Sequence, residues 1–133
     1  MLNLEIITPR KTVVKDEVEM VEATGSSGEF GILPGHTEFL TTLDIGEIRY
    51  MKGGQMNYLA SGSGFAEVVD DKVVILINTA EFAKDIDVER AKASMERVQE
   101  ILRSLSYDQA EYRMYELALL KSIARISVAS KKL

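Results

Sequence analysis

"KVVILINTAEFAKDIDVERAKASMERV", residues 72–98, changes its hydrophobic period part-way along, and that change decides the fold. The opening "KVVILIN" is short, β-branched and apolar on both faces, which predicts a strand covered on both sides. Beyond "AEFAKDID" the residues Val88, Ala91, Met95 and Val98 step by three and four, and Leu102 and Leu105 extend the stripe. That spacing is one face of an α-helix. Asp87 stands where an N-cap belongs, and the charged residues between the apolar ones, from Glu89 to Arg103, make a solvated face with room for ion pairs.

Upstream of this switch the pattern is β throughout. "LNLEII" places Leu2, Leu4 and Ile6 on one face. "EVEMVEA" is valine-rich and opens with Val18 and Met20 two apart. "GEIRYMK" and "QMNYLAS" are separated by Gly53-Gly54, a hairpin turn whose two residues must both accept positive φ. "FAEVV" and "KVVILIN" flank Asp70-Asp71, which reads as a second tight hairpin in solvent. "GSGF" at 62–65 reads as a bulge or tight bend. Strands recurring roughly every 8 to 12 residues predict a β-sandwich or flattened barrel over residues 1–84.

Downstream, residues 85–133 predict an antiparallel α-helical hairpin. Ser106 and Gln109 form a capping-box pattern that restarts a helix running to about residue 129. The junction "RSLSYDQ" has neither glycine nor proline, so nothing in it forbids the two helices from joining, and the hairpin is expected to open at modest cost. The second helix carries two apolar stripes. Tyr112, Tyr115, Leu119, Ile123 and Ile126 make one, and Met114, Leu117, Ala124 and Val128 the other. One partner helix cannot cover both. The second stripe either packs on the sandwich or is reserved for another protein.

Composition narrows the function. With 46% apolar and 28% charged residues in 133, the chain affords a core but gives neither half much stability alone. A net charge of −5 argues against nonspecific nucleic-acid binding. The absence of cysteine rules out disulfides and zinc–thiolate sites, and one histidine rules out a histidine-rich metal site. No stretch approaches the roughly 18 to 20 apolar residues of a membrane span. "MLNLEIITPR" has no basic region leading into an apolar run and does not read as a signal peptide. These features are those of a soluble protein of a reducing compartment.

Catalysis finds little support. There is no phosphate-cradling G-x-x-x-x-G-K-[ST] loop, and His36 has no nucleophile in its own motif. "GEFGILPGH", residues 28–36, instead reads as a stiff recognition corner. Gly28, Gly31 and Gly35 permit unusual backbone conformations, Pro34 fixes φ, and Phe30, Ile32 and Leu33 anchor the segment in the core. Glu29 and His36 are then held at its ends.

These residues carry a resemblance. "GEFGILPGHTEFLTTLDIGEIRY", "SGSGFAEVVDDKVVILINTAEF", "DIDVERA" and a terminal "ARISVASKK" resemble the epsilon subunits of F-type ATP synthases, of bacterial type, over essentially the whole chain. The resemblance implies a noncatalytic central-stalk subunit of a proton-translocating enzyme, peripheral on the cytoplasmic side of the bacterial inner membrane. Its sandwich would bind the gamma subunit and rest on the c-ring, with Glu29 and His36 near the polar loops of the c subunits. Its helices would fold on the sandwich or extend along gamma towards the alpha and beta subunits, braking ATP hydrolysis.

"IDVERA" also resembles the I/L-D-x-x-R-A motif by which bacterial relatives bind ATP as a regulatory ligand. Asp87, Arg90 and Ala91 match it, Glu81 matches a position upstream, and Arg125 matches a basic position that contacts the nucleotide. Asp87 would accept from the adenine amino group, Arg90 would engage phosphate, and Ala91 would leave room for the base. Lys121 stands where ATP-binding relatives carry arginine, a point charge in place of a planar fork, and Ser122, Ile123 and Ala124 also depart from the pattern. Asp87 and Arg90 equally suit an N-cap and a charged face. An alternative is a free-standing ATP-sensing module acting on an unrelated partner.

Overall fold

Alternating side chains build the first layer of the molecule, whose computed structural model describes residues 1–131. Strand β1 (Leu2–Ile7) turns its even residues inward, and Leu2, Leu4 and Ile6 are all 0% exposed. It pairs antiparallel with β2 (Thr12–Val18) and parallel with β8 (Lys72–Ile77). Between these come β3 (Met20–Gly25), β4 (Gly28–Ile32), β5 (Phe39–Lys52), β6 (Gln55–Ser61) and β7 (Gly64–Val69). A short β9 (Ala80–Phe82) follows β8, and one 3-10 turn (Ala83–Asp85) leads to α1 (Val88–Ser104) and α2 (Ala110–Ala129). The strand order is β2-β1-β8-β7-β5-β3-β4, with β6 pairing β5 and β9.

β5 lets the sheet fold over itself. Residues 39–43 pair with β7, whereas residues 46–52 pair with β6. Its buried side chains change phase along the way, from Leu43 to Ile48 and Tyr50. Its pairing with β3 slips between Ala23 and Gly25 at the same level. Such an irregularity bends and twists a strand. The two arms enclose one core, in which Val21, Ile48, Leu59, Val73 and Ile75 meet the β1 side chains. The result is the β-sandwich followed by a helical hairpin that the periodicity predicts.

Both predicted tight turns form. Gly53 and Gly54 take φ of 58° and 75°, and Asp70 and Asp71 take 47° and 61°. The primed turn they make matches the twist of the flanking strands. At "GSGF" the reason for glycine is proximity: a Cβ on Gly64 would lie 1.9 Å from the Leu76 carbonyl oxygen.

Several local expectations are corrected. "EVEMVEA" is not one strand. The chain breaks at Glu19, so the buried positions pass from Val14 and Val18 to Val21 and Ala23, and Met20 is only half-buried. Glu19 is held there by its N–H donating to the Met51 carbonyl, and its carboxylate accepts from the Gly54 N–H. β8 is covered on one face only. Val73, Ile75 and Ile77 are buried while Val74 and Leu76 are half-exposed, because the helices lie over β5 and β6 rather than over β8. The capping box is half-made. The Gln109 side chain accepts from the Ser106 N–H at 2.7 Å, but residues 106–109 close a backbone turn, and α2 starts only at Ala110 with Gln109 as its N-cap.

The hairpin joins the sandwich through a second, smaller apolar cluster. Ala60 of β6, Ala83 and Ile86 of the connection, and Val128 and Ala129 of α2 are buried together, with Tyr58 and Val88 against them. Five of these seven are alanine or valine, so the joint buries little apolar area compared with the sandwich core. The last two residues of the 85–133 segment lie outside the described residues.

Candidate functional site

Two regions hold the side chains singled out from the sequence: the corner after β4, and the seam between sandwich and hairpin. At the corner, Ile32 ends β4 fully buried and Phe30 packs partly on the core. Leu33 does not anchor the segment; it is 60% exposed, because strand alternation turns the residue after Ile32 outward. Gly35 needs its φ of 85° to close the turn in which the His36 N–H donates to the Leu33 carbonyl. Gly31 needs no unusual conformation: it lies in β4, where a Cβ would meet Glu22 at ordinary contact distance.

Asp71 was expected in solvent, yet its carboxylate accepts from the Gly35 N–H at 2.7 Å. The β7–β8 hairpin thereby braces the glycine corner from a distant part of the chain. His36 is half-buried, with Nδ1 at 2.8 Å from the Thr37 carbonyl oxygen and its ring edge-on to Phe39. Glu29 lies on the other side of β4, engaged with Arg49 at 3.3 Å. The structure therefore does not bring Glu29 and His36 together. Arg49 also holds Glu22 at 2.8 Å and Glu47 at 2.6 Å. The hydrogen bond to Glu22, outweighing burial and reinforced by Glu47 and Glu29, pushes the guanidinium pKa well above its usual value, so Arg49 is permanently charged.

At the seam, Asp87 is the N-cap of α1, accepting from the Arg90 N–H at 3.1 Å. The capping carboxylate satisfies one of the unpaired N–H groups of the first turn. The Arg90 side chain is exposed and makes no ion pair among the described residues. Ala91 is 0% exposed inside the hairpin, so in this conformation it offers no surface to a base. Arg125, from α2, grips Glu81, from β9, with two parallel hydrogen bonds of 2.7 and 3.2 Å. A planar fork on a carboxylate is the stronger kind of ion pair. Lys131 at the end of α2 makes a second tie, to Glu47 of β5.

Lys121 lies one helical turn before Arg125 and faces a cleft of about 640 Å³ lined also by Thr8, Arg10, Lys11, Asn78, Thr79 and Glu81. The structure thus places Glu81 and Lys121 around one opening, with Arg125 held on Glu81 behind it, while Asp87 and Arg90 sit at the start of α1 and do not line it. Arg10 and Lys11 of the β1–β2 turn, and the Arg49 cluster, were not foreseen. Strand pairing creates both, and nothing local in the sequence signals them.

The apolar stripes of α2 divide unevenly. Val128 packs on the sandwich, but Met114, Leu117, Leu120 and Ile123 remain 37–58% exposed. Leu120 and Ile123 border a groove whose other wall is Thr24, Glu29 and Glu47. Among the described residues no helix is long and apolar enough to cross a membrane.

Comparison with known proteins agrees with this two-part plan. The family model "ATP synthase, Delta/Epsilon chain, beta-sandwich domain" matches residues 1–83, and "ATP synthase, Delta/Epsilon chain, long alpha-helix domain" matches residues 84–130. The ATP synthase epsilon chain of Geotalea daltonii is 47% identical over 130 residues, covering 98% of this chain and 94% of the relative. That of Geotalea uraniireducens is 48% identical with the same coverage. Among solved structures, a chain of the Euglena gracilis mitochondrial ATP synthase (OSCP/F1/c-ring, rotational state 1) superposes with a TM-score of 0.84 at 25% identity, over 97% of this chain and 81% of that one. A chain of the Tetrahymena thermophila mitochondrial central stalk and c-ring shares the fold at 11% identity, with a TM-score of 0.57 over 98% and 94% of the two chains.

A β-sandwich bearing a helical hairpin, matched along its whole length in this way, defines a noncatalytic stalk subunit of a rotary ATP synthase. The chain belongs to the ATP synthase delta/epsilon family, as a bacterial-type epsilon chain.

Proposed function

We propose that the sandwich binds the gamma subunit at the foot of the central stalk and rests on the c-ring, while the hairpin regulates the direction of rotation. In the pose described here the hairpin is stowed. Released, it extends along gamma towards the alpha and beta subunits and obstructs rotation in the direction of ATP hydrolysis. The enzyme would translocate protons, with this subunit peripheral on the cytoplasmic side of the bacterial inner membrane.

The observation that carries this reading is the weakness of the seam relative to the base. A small alanine- and valine-rich cluster and two ion pairs, Arg125–Glu81 and Lys131–Glu47, hold α2 down. Partly exposed pairs of this kind are each worth about 1 kcal/mol or less. The exposed apolar residues Met114, Leu117, Leu120 and Ile123 are then available to a partner of the deployed helix. ATP is the proposed regulatory ligand, acting through Glu81, Asp87, Arg90, Lys121 and Arg125, with Ala91 buried behind the helix start and making no direct contact in the stowed pose. It can favour the stowed hairpin only by binding it more tightly than the extended one. Glu29 and His36 are the proposed c-ring contacts.

Truncation after residue 86 tests the division of labour. The shortened chain should still bind gamma and couple rotor to ring, and hydrolysis by the assembled enzyme should rise. An assembly that stays as inhibited as the full-length one would remove the hairpin from the regulatory role.

A further inference from the structure

The cleft at the seam holds more positive charge than the nucleotide motif needs. Arg10 and Lys11, on the turn between β1 and β2, and Lys121, on α2, all line it. None of the three makes an ion pair with a described residue. The one carboxylate in the lining, Glu81, is already neutralised by the Arg125 fork. Three like charges converging without a counter-charge repel one another, in a chain whose net charge is −5. The β1–β2 turn is also held in shape, because Thr8 Oγ1 accepts from the Arg10 and Lys11 N–H groups and donates to the Lys11 carbonyl. The remaining lining groups, Asn78 and Thr79, add neutral hydrogen-bonding capacity.

We infer that Arg10, Lys11 and Lys121 form a polyphosphate subsite bridging the sandwich to the hairpin. The ligand is a chain of phosphoryl groups, since several cations spread over two structural elements exceed what one phosphate neutralises. Two of its contacts come from the base and one from the mobile helix, so an occupied site ties α2 to the β1–β2 turn and opposes deployment. This deepens the proposal of ATP as regulator and rests on it for the identity of the soluble ligand. It adds a binding contribution from the sandwich, outside the helix-start motif.

The test is calorimetric titration of the full chain with ATP and, separately, with inorganic tripolyphosphate. Arg10→Gln/Lys11→Gln is compared with Lys15→Gln/Lys92→Gln, which removes the same charge from exposed positions outside the cleft. The expected result is tripolyphosphate binding by the wild type, weakened about tenfold by the first pair and little changed by the second. Equal weakening by both pairs would mean that net charge alone matters and would overturn the subsite. ATP binding by the wild type without any tripolyphosphate binding would overturn it too, and leave the nucleotide proposal standing. Tripolyphosphate binding lost in the first pair, with ATP no tighter than tripolyphosphate, would support the subsite and defeat the nucleotide proposal. Phosphatidylglycerol vesicles supply the same phosphoryl chemistry on a surface. Co-sedimentation with them that the first pair abolishes, in the absence of tripolyphosphate binding, would overturn the assignment to a soluble ligand.

Discussion

Replacing Val128 with alanine removes two carbon atoms from the joint between α2 and the sandwich, where Val128 is 1% exposed against Ala60, Ala83, Ile86 and Ala129. Transfer of those groups accounts for about 1.6 kcal/mol, and an incompletely collapsed cavity raises the loss to about 2 kcal/mol. Val128 belongs to a cluster separate from the core of the sandwich, so the loss should fall on detachment of the hairpin and not on the β base. A helical hairpin freed from its support is marginal in water and frays. Native-state hydrogen exchange reads this directly. Amides of α2 near Val128 should exchange about 30-fold faster in Val128→Ala, while those of β1 and β8, which pair in the centre of the core, keep their wild-type rates. Acceleration of the β1 and β8 amides by the same factor would refute the reasoning, because hairpin and sandwich would then open as one unit.

Glu81→Gln should loosen the same joint by about 1 kcal/mol, a value held down because both members of its pair with Arg125 are partly exposed; thermal denaturation at low and high salt checks it, since the wild-type advantage should shrink as salt rises. Gly64→Ala should cost about 3 kcal/mol or more in denaturant titration, because its Cβ would fall 1.9 Å from the backbone oxygen of Leu76, which cannot move without breaking the β7–β8 ladder. Burial, with a smaller contribution from Asp16, raises the Tyr50 pKa, so the fold favours the neutral phenol. Its contribution is complete below the unfolded pKa of about 10 and is lost as pH rises towards the folded value. Tyr50→Phe should therefore lose less stability than the wild type between neutral and strongly alkaline pH, and parallel pH profiles would contradict this.

What was legible in the sequence is what neighbouring residues decide. Gly53-Gly54 and Asp70-Asp71 announce their turns because only a few residue types accept positive φ, and Asp87 announces α1 because its carboxylate reaches the Arg90 N–H within one turn. The stripe from Val88 to Leu105 gives the helix its inner face before any partner is known. Partners distant in sequence were not legible. Arg49 meets Glu22, 27 positions away, only through the register of β3 on β5. Asp71 reads locally as a solvated turn residue and becomes a brace only when the glycine corner is brought to it. For the same reason Arg10 and Lys11 look like ordinary turn cations until α2 lays Lys121 across from them. The break at Glu19 was missed because valine-rich alternation runs through it, and only the change of buried phase from Val18 to Val21 reveals two strands.

Because the chain contains no cysteine, Asp85→Cys and Ser130→Cys, both at exposed positions flanking the seam, provide unique spin-label sites. Pulsed dipolar spectroscopy of this doubly labelled chain follows the hairpin itself. With ATP in excess the account predicts a single short distance, as Ala83, Ile86 and Ala129 share one buried cluster. Assembled with the rest of the enzyme and depleted of nucleotide, the same chain should show a second, much longer distance. One short distance under both conditions would mean that the helices never leave the sandwich, and would contradict the account at its centre.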